Sequence, residues 1–159
     1  MLACLYHGVG SSPRADSNEQ SVTDQAIVNL DGLRILVVDD EADSRELVGS
    51  LLEGYGAEVY LADAPRSARA EIGKHVPDVM ISDIAMGEED GYSLVRSIRC
   101  DPRREARAIP AIALTAFTRS IDREQAFGAG FDIHLGKPID VSVLLNAVVE
   151  LVRRRSRAH

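Results

Sequence analysis

The chain has 159 residues, 45% of them apolar and 4% aromatic, with no Trp and a formal net charge of −7 at pH 7. That length suits one domain with an appendage, and the acidic balance argues against a nucleic-acid binder or a binder of anionic membranes, both of which need a positive surface. No apolar run approaches the ~18 residues that span a bilayer, and Met1-Leu2-Ala3-Cys4-Leu5-Tyr6 lacks the length and basic start of a signal peptide.

Residues 1 to about 30 read as a flexible N-terminal extension. Gly8 to Gln20 is rich in Gly, Ser, Pro, Asp and Asn without periodicity, too polar to offset the entropy of ordering it. Val22, Ala26, Ile27 and Leu30 share one side of a short helix over 21–30. Cys4 and Cys100 are far apart and form no metal-type pair. They read as reduced thiols, which places the chain in the cytoplasm.

Leu33 to Val38 is the first strand and runs into Asp39-Asp40-Glu41. Leu47, Val48, Leu51, Leu52 and Tyr55 follow at helical spacing, with Asp43 and Glu46 placed as a capping box. Glu58 to Ala62 is a second strand. Asp63 is the expected cap of a helix with Pro65 in its first turn and an end near Lys74. Val79-Met80-Ile81-Ser82 is an apolar run ending in Asp83, as a strand buried on both faces would be. A loop leads to a helix over about Asp90 to Arg99. A charged connection, 101–109, precedes the strand Ala111 to Leu114, which ends in Thr115. A helix from Ser120 to Ala129 stops at Gly130. Phe131 to Leu135 is the fifth strand, followed by Gly136-Lys137-Pro138. Asp140 caps a last helix with Val141, Leu144, Leu145, Val148 and Val152 on its apolar face, and 156–159 is a frayed tail.

Strand and helix thus alternate five times. Such alternation implies a parallel sheet with helices on both faces and every strand-to-helix loop at one edge. Asp39, Asp40, Asp83, Thr115 and Lys137 all fall at that edge, where open α/β sheets put their chemistry. Converging carboxylates repel: two charges ~4 Å apart at an effective dielectric of ~20 cost about 4 kcal/mol. A dication removes that cost. Oxygen ligands, with no His or Cys among them, favour Mg2+ with Mn2+ as a substitute. A carboxylate nucleophile, a metal, an amine and a hydroxyl make a site for a phosphoryl group, with Asp83 as the attacking group and an aspartyl phosphate as product.

Taken one at a time, these residues have blander readings. Asp39 and Asp40 could stabilise a helix dipole. Thr115 could be a turn residue, Lys137 a solvated lysine, and His134 a half-buried structural histidine. Tyr92 reads as helix surface and core edge. The run Arg153-Arg154-Arg155-Ser156-Arg157 reads as cations at a helix C-terminus. Leu145, Val149 and Leu151 widen the last apolar stripe, as a partner or homodimer surface or as extra core.

Over residues 31–155 the chain resembles the receiver domain of two-component response regulators. The resemblance rests on Val37-Val38-Asp39-Asp40-Glu41, Ser82-Asp83-Ile84-Ala85-Met86, Leu114-Thr115-Ala116 and Lys137-Pro138, in that order and spacing. Phe131 to Pro138 and Glu89-Asp90-Gly91-Tyr92 look most like receivers of hybrid histidine kinases, although the chain has no kinase core. The resemblance implies a CheY-like, flavodoxin-like (βα)5 fold: a doubly wound, five-stranded parallel sheet in strand order 2-1-3-4-5. It implies that Asp83 accepts phosphate from the phosphohistidine of a histidine kinase or histidine phosphotransfer protein. Asp40, Asp83 and the Ala85 backbone carbonyl would bind Mg2+ directly, and Asp39 largely through water. Lys137, Thr115 and Ala116 would form the phosphoryl-binding edge, with Thr115 moving inward and the side chain of His134 following as the switch. The Lys137–Pro138 bond would be cis.

The chain departs from the family pattern at two places. Gly87 stands where proline usually follows the methionine, which leaves that loop freer. His134 replaces the usual Tyr or Phe, which makes the switch less apolar and sensitive to pH. Ala85 and Phe117 occupy positions that tune dephosphorylation in relatives.

The expected role is a phosphoacceptor switch rather than an enzyme. No output domain follows residue 155, so its signal is expected to leave through a surface spanning about Ser120 to Arg155. One competing reading is a pseudo-receiver that binds partners without phosphate. Another is a phosphatase of the haloacid-dehalogenase type, whose signature wants a second Asp two residues after the first; Asp39 is followed by Asp40 and Glu41.

Overall fold

The computed structural model describes residues 27–158. Most of the expected N-terminal extension and its helix lie outside these residues, and 27–30 are not helical. Leu30 is fully buried and donates its N–H to the Tyr55 carbonyl (2.8 Å), so the packed chain begins before residue 31.

Five parallel strands form one sheet: β1 (Arg34–Val38), β2 (Glu58–Ala62), β3 (Val79–Asp83), β4 (Ala111–Thr115) and β5 (Ile133–Gly136). Their order is β2-β1-β3-β4-β5, the doubly wound order the sequence led us to expect. The helices are α1 (Ala42–Gly54), α2 (Pro65–Lys74), α3 (Gly91–Arg99), α4 (Arg104–Arg107), α5 (Ser120–Ala129) and α6 (Val141–Arg157).

Alternate strand residues point to opposite faces. Leu36, Val38, Met80, Ala111 and Ala113 pack with residues of α2, α3 and α5 on one side. Ile35, Val37, Val79, Ile81, Ile112 and Leu114 pack with α1 and α6 on the other. This two-sided burial explains why β1, β3 and β4 are continuous aliphatic runs. Each fully buried Leu or Ile contributes about 1.5–3 kcal/mol.

Several local expectations shift. Asp43 and Glu46 form no capping box: α1 starts two residues earlier than a cap at Asp43 would place it, after Glu41, which makes no side-chain cap bond. Ala64, not Asp63, precedes α2; Asp63 instead accepts the Ser67 hydroxyl (2.7 Å), and that hydroxyl accepts the Ala64 N–H (3.1 Å). The charged connection contains the four-residue helix α4. The fifth strand starts two residues later than expected, at Ile133, and Phe131 belongs to the core.

On α1, Val48 and Leu52 face inward while Leu47 is 65% exposed. On α6, Leu144, Leu145, Ala147, Val148 and Leu151 are buried, whereas Val141 and Val143 face outward. The widened stripe is therefore extra core at Leu145 and Leu151. The helix continues to Arg157, past the expected start of the tail, and Arg154 pairs with Glu150. Among the described residues, no helix is long and apolar enough to cross a membrane.

Candidate functional site

The site lies at the C-terminal edge of the sheet. Val38 is in register with Ser82, Asp83 with Leu114, and Thr115 with Gly136. The residues that follow β1 and β5 and those that end β3 and β4 therefore stand at one level.

Asp39 is almost completely buried. Its Oδ1 accepts the Glu41 N–H (3.0 Å), and its Oδ2 accepts the Ser44 hydroxyl (2.7 Å) and Lys137 Nζ (3.0 Å). Arg45 donates to its backbone carbonyl (2.7 Å). Asp83 is half-buried: Oδ1 accepts the Ile84 N–H (2.7 Å), and Oδ2 lies 3.3 Å from Lys137 Nζ. Lys137 thus bridges two aspartates that are 44 positions apart in sequence. Asp40 is exposed beside them, and one carboxylate oxygen from each of Asp39, Asp40 and Asp83 lies within 4.8 Å of the others.

Thr115 is fully buried, and its Oγ1 accepts the Phe117 N–H (3.1 Å). Its carbonyl accepts the Lys137 N–H (2.9 Å), which ties the β5 loop to β4. The Lys137–Pro138 peptide is cis. Ala85 and Ala116 lie on exposed stretches of the loops after β3 and β4. His134 sits on β5, paired with Ala113, and its buried Nε2 has no hydrogen-bond partner. Gly91 opens α3 against the acceptor strand; a Cβ there would stand 2.3 Å from the Asp83 carbonyl oxygen. Only glycine allows that approach.

Electrostatics follow from this packing. Burial pushes the Asp83 carboxyl up, and neighbouring Asp39 adds to the rise, while Lys137 and the Ile84 N–H pull the other way. Burial pulls Lys137 down, but the Asp39 and Asp83 carboxylates outweigh it and its pKa stands above the ordinary value. One lysine therefore does not fully offset the cost of burying the Asp83 carboxylate, and a further cation would reduce that cost. The donors available are hard carboxylate oxygens at close quarters, which fits a dication of the Mg2+ kind.

Sequence reasoning missed Ser44 and Arg45. Both act on Asp39 only because α1 begins at Ala42, and no motif marks that onset.

Comparison with known proteins adds the following. A family model described as response regulator receiver domain matches residues 35–149. An uncharacterized 14.6 kDa protein of Leptolyngbya boryana is 40% identical over 124 residues, covering 78% of this chain and 91% of that protein. Hybrid signal transduction histidine kinase D of Dictyostelium discoideum is 33% identical over 150 residues, covering 90% of this chain but 9% of the kinase. Among solved structures, the signal receiver domain of a signal transduction histidine kinase from Syntrophus aciditrophicus superposes with a TM-score of 0.69 at 31% identity, covering 77% of this chain and 91% of that one.

Proposed function

The chain belongs to the response regulator receiver family of two-component systems, and we propose that it accepts a phosphoryl group on Asp83 and relays the event by a change of conformation. The observation that carries this reading is Lys137 Nζ, held between Asp39 and Asp83 at 3.0 and 3.3 Å.

The donor is a phosphohistidine, on a histidine kinase or a histidine phosphotransfer protein. An Asp83 carboxylate oxygen attacks phosphorus as the P–N bond breaks. The departing imidazole keeps the bonding electrons and takes up a proton. Asp40, Asp83 and the Ala85 carbonyl would hold Mg2+, and Asp39, whose oxygens are already engaged, would act through water. Held there, the cation would supply charge neutralisation at the phosphoryl oxygens. Lys137 exchanges its contact with Asp83 for a phosphoryl oxygen. Thr115 gives up the Phe117 N–H and turns its hydroxyl toward the phosphoryl group beside Ala116, which opens space for His134 to move inward.

The altered surface is the α5–β5–α6 face, about Ser120 to Arg155, where a downstream protein or a second copy would dock in the cytoplasm. Ile121 and Phe127 on α5 are about half exposed (54% and 46%), which gives that face apolar contacts to offer.

Incubation with Mg2+ and acetyl phosphate should add one phosphoryl group per chain, detected by intact mass. Asp83→Asn should abolish the addition; undiminished labelling of that variant would reject the acceptor assignment.

A further inference from the structure

The loop from Ile84 to Asp90 carries Ala85, the one backbone ligand in the proposed metal set, so its position matters to the site. The loop is closed at its base, where Gly91 N–H donates to the Ile84 carbonyl (2.8 Å). Met86 is buried in the core and anchors the near side. Beyond it the backbone has little to hold it, because Gly87 is exposed with φ +37° and a Cβ there would meet nothing.

The far side is held from another helix. Arg69 of α2 grips Glu89 with two donors: Nη1 to Oε2 at 3.0 Å, and Nη2 to Oε1. Its Nε donates to the Ser97 hydroxyl of α3 (3.0 Å), which itself donates to the Leu94 carbonyl (2.7 Å). One guanidinium therefore fixes the loop to both flanking helices. Arg69 raises its own pKa through Glu89 and lowers that of Glu89 in return. Both side chains are partly buried, at 38% and 35% exposed. A planar bidentate fork sets direction as well as distance, and a lysine could not reproduce it.

We infer that Arg69 is a positioning residue for the phosphoacceptor site: its clasp on Glu89 holds the loop after Asp83 so that the Ala85 carbonyl is presented to the divalent cation. The inference rests on the proposed reading of the site. The clasp replaces the conformational restraint that glycine at position 87 cannot supply. Loosening it lets the loop sample other positions, and cation affinity falls by the fraction of time the carbonyl is misplaced.

The test uses Arg69→Ala, Glu89→Ala, Arg69→Lys and the charge reversal Arg69→Glu with Glu89→Arg. Amide hydrogen exchange over 85–90 reports the loop without any metal. Calorimetric titration with Mg2+ reports affinity, and thermal melting reports the fold. Each single alanine variant should speed exchange in the loop and weaken Mg2+ by about fivefold, with melting little changed. Arg69→Lys should recover only part of this, and the reversal should recover most of it. Exchange at the wild-type rate in both alanine variants would overturn the clasp. Faster exchange with undiminished Mg2+ affinity would overturn its link to the site. If the unaltered protein neither binds Mg2+ nor takes up phosphate, the site reading itself fails and the inference with it, a result that loop exchange would not mimic.

Discussion

At the scale of single residues, His134 is the position where polarity and surroundings disagree most. Its Nε2 is buried without a partner, so the neutral ring already carries a desolvation cost and the imidazolium would carry more. Burial lowers its pKa from the ordinary 6.5, and Arg123 adds to the fall, while the Phe117 backbone and Asp122 pull it back. A depressed folded-state value means that the unfolded chain takes the proton first as pH falls. The stability contributed by neutral His134 is thus complete above about 6.5 and is lost as pH drops through the folded value. His134→Phe removes both the unpaired nitrogen and the titration. Urea unfolding should show the Phe variant gaining on the parent as pH goes from 7.5 to 5; a gap that stays constant over that range would contradict the assignment. The two ends of the Lys137 bridge show what can be read residue by residue. Asp39 and Asp83 were legible because each follows an apolar run, and Lys137 because it stands in the Gly136-Lys137-Pro138 turn after the fifth strand. Ser44 and Arg45, which complete the Asp39 environment, were not, because they are ordinary helix residues until the first turn of α1 is placed.

At the scale of elements, helices show where periodicity stops being informative. A 3.6-residue repeat identifies an apolar stripe, but its rotation about the axis is decided by what it packs on. On α6 the expected face held at Leu144, Leu145 and Val148 and in part at Val152, which packs against the core; Val141 instead faces outward, and Ala147 and Leu151 complete the buried face. The shift makes a prediction with opposite outcomes on one helix. Leu151→Ala should cost about 2–5 kcal/mol, because a 3% exposed side chain leaves a cavity between sheet and helix. Val143→Ala, at a residue 47% exposed, should stay within ~0.5 kcal/mol. Equal losses in chemical denaturation would mean that α6 sits differently. The three central strands were read almost to the residue, because burial on both faces leaves only an uninterrupted aliphatic run as a solution. The edge strand β5 was displaced, since Phe131 is apolar yet lies ahead of the ladder as a core plug. The cap was read correctly at Asp140, where one carboxylate meets one N–H; Asp90, read only as the start of its helix, caps α3 in the same way. The cap was misread at α1, where the candidate lies inside the helix and Asp39 serves the site.

At the scale of the whole molecule, the sheet has two working edges, and only one of them could be inferred from the sequence. Alternating strands and helices force the loops after β1, β3, β4 and β5 together, so an acidic cluster with a lysine was legible across nearly 100 positions. At the opposite edge the organiser is Arg99, whose partners are mostly backbone carbonyls and so leave no trace in the residue pattern. Its guanidinium donates to the carbonyls of Gly130 (3.0 and 2.8 Å), Ile109 (2.7 Å) and Arg107 (2.8 Å), and to Asp132 Oδ2 (3.2 Å). Asp132 in turn accepts the Ala111 N–H (2.8 Å), so α3, α4, α5 and the starts of β4 and β5 meet on one side chain. Burial lowers the Arg99 pKa against the opposing pull of Asp132, as expected for a cation held by neutral dipoles. Replacing it with Met keeps the aliphatic stem but strands several carbonyls, which at ~1–3 kcal/mol per unsatisfied group should total about 3 kcal/mol after partial rehydration. Thermal melting should fall by about 10 °C. Lysine should rescue little, because a point charge cannot span carbonyls fanned around a planar fork. The edge bearing Asp83 shares none of these bonds, so at temperatures where the variant is folded the proposed Mg2+ binding and acceptance of phosphate should match the parent's. A melting point within a degree or two of the parent would show that the carbonyls find other donors and that the far edge does not depend on Arg99.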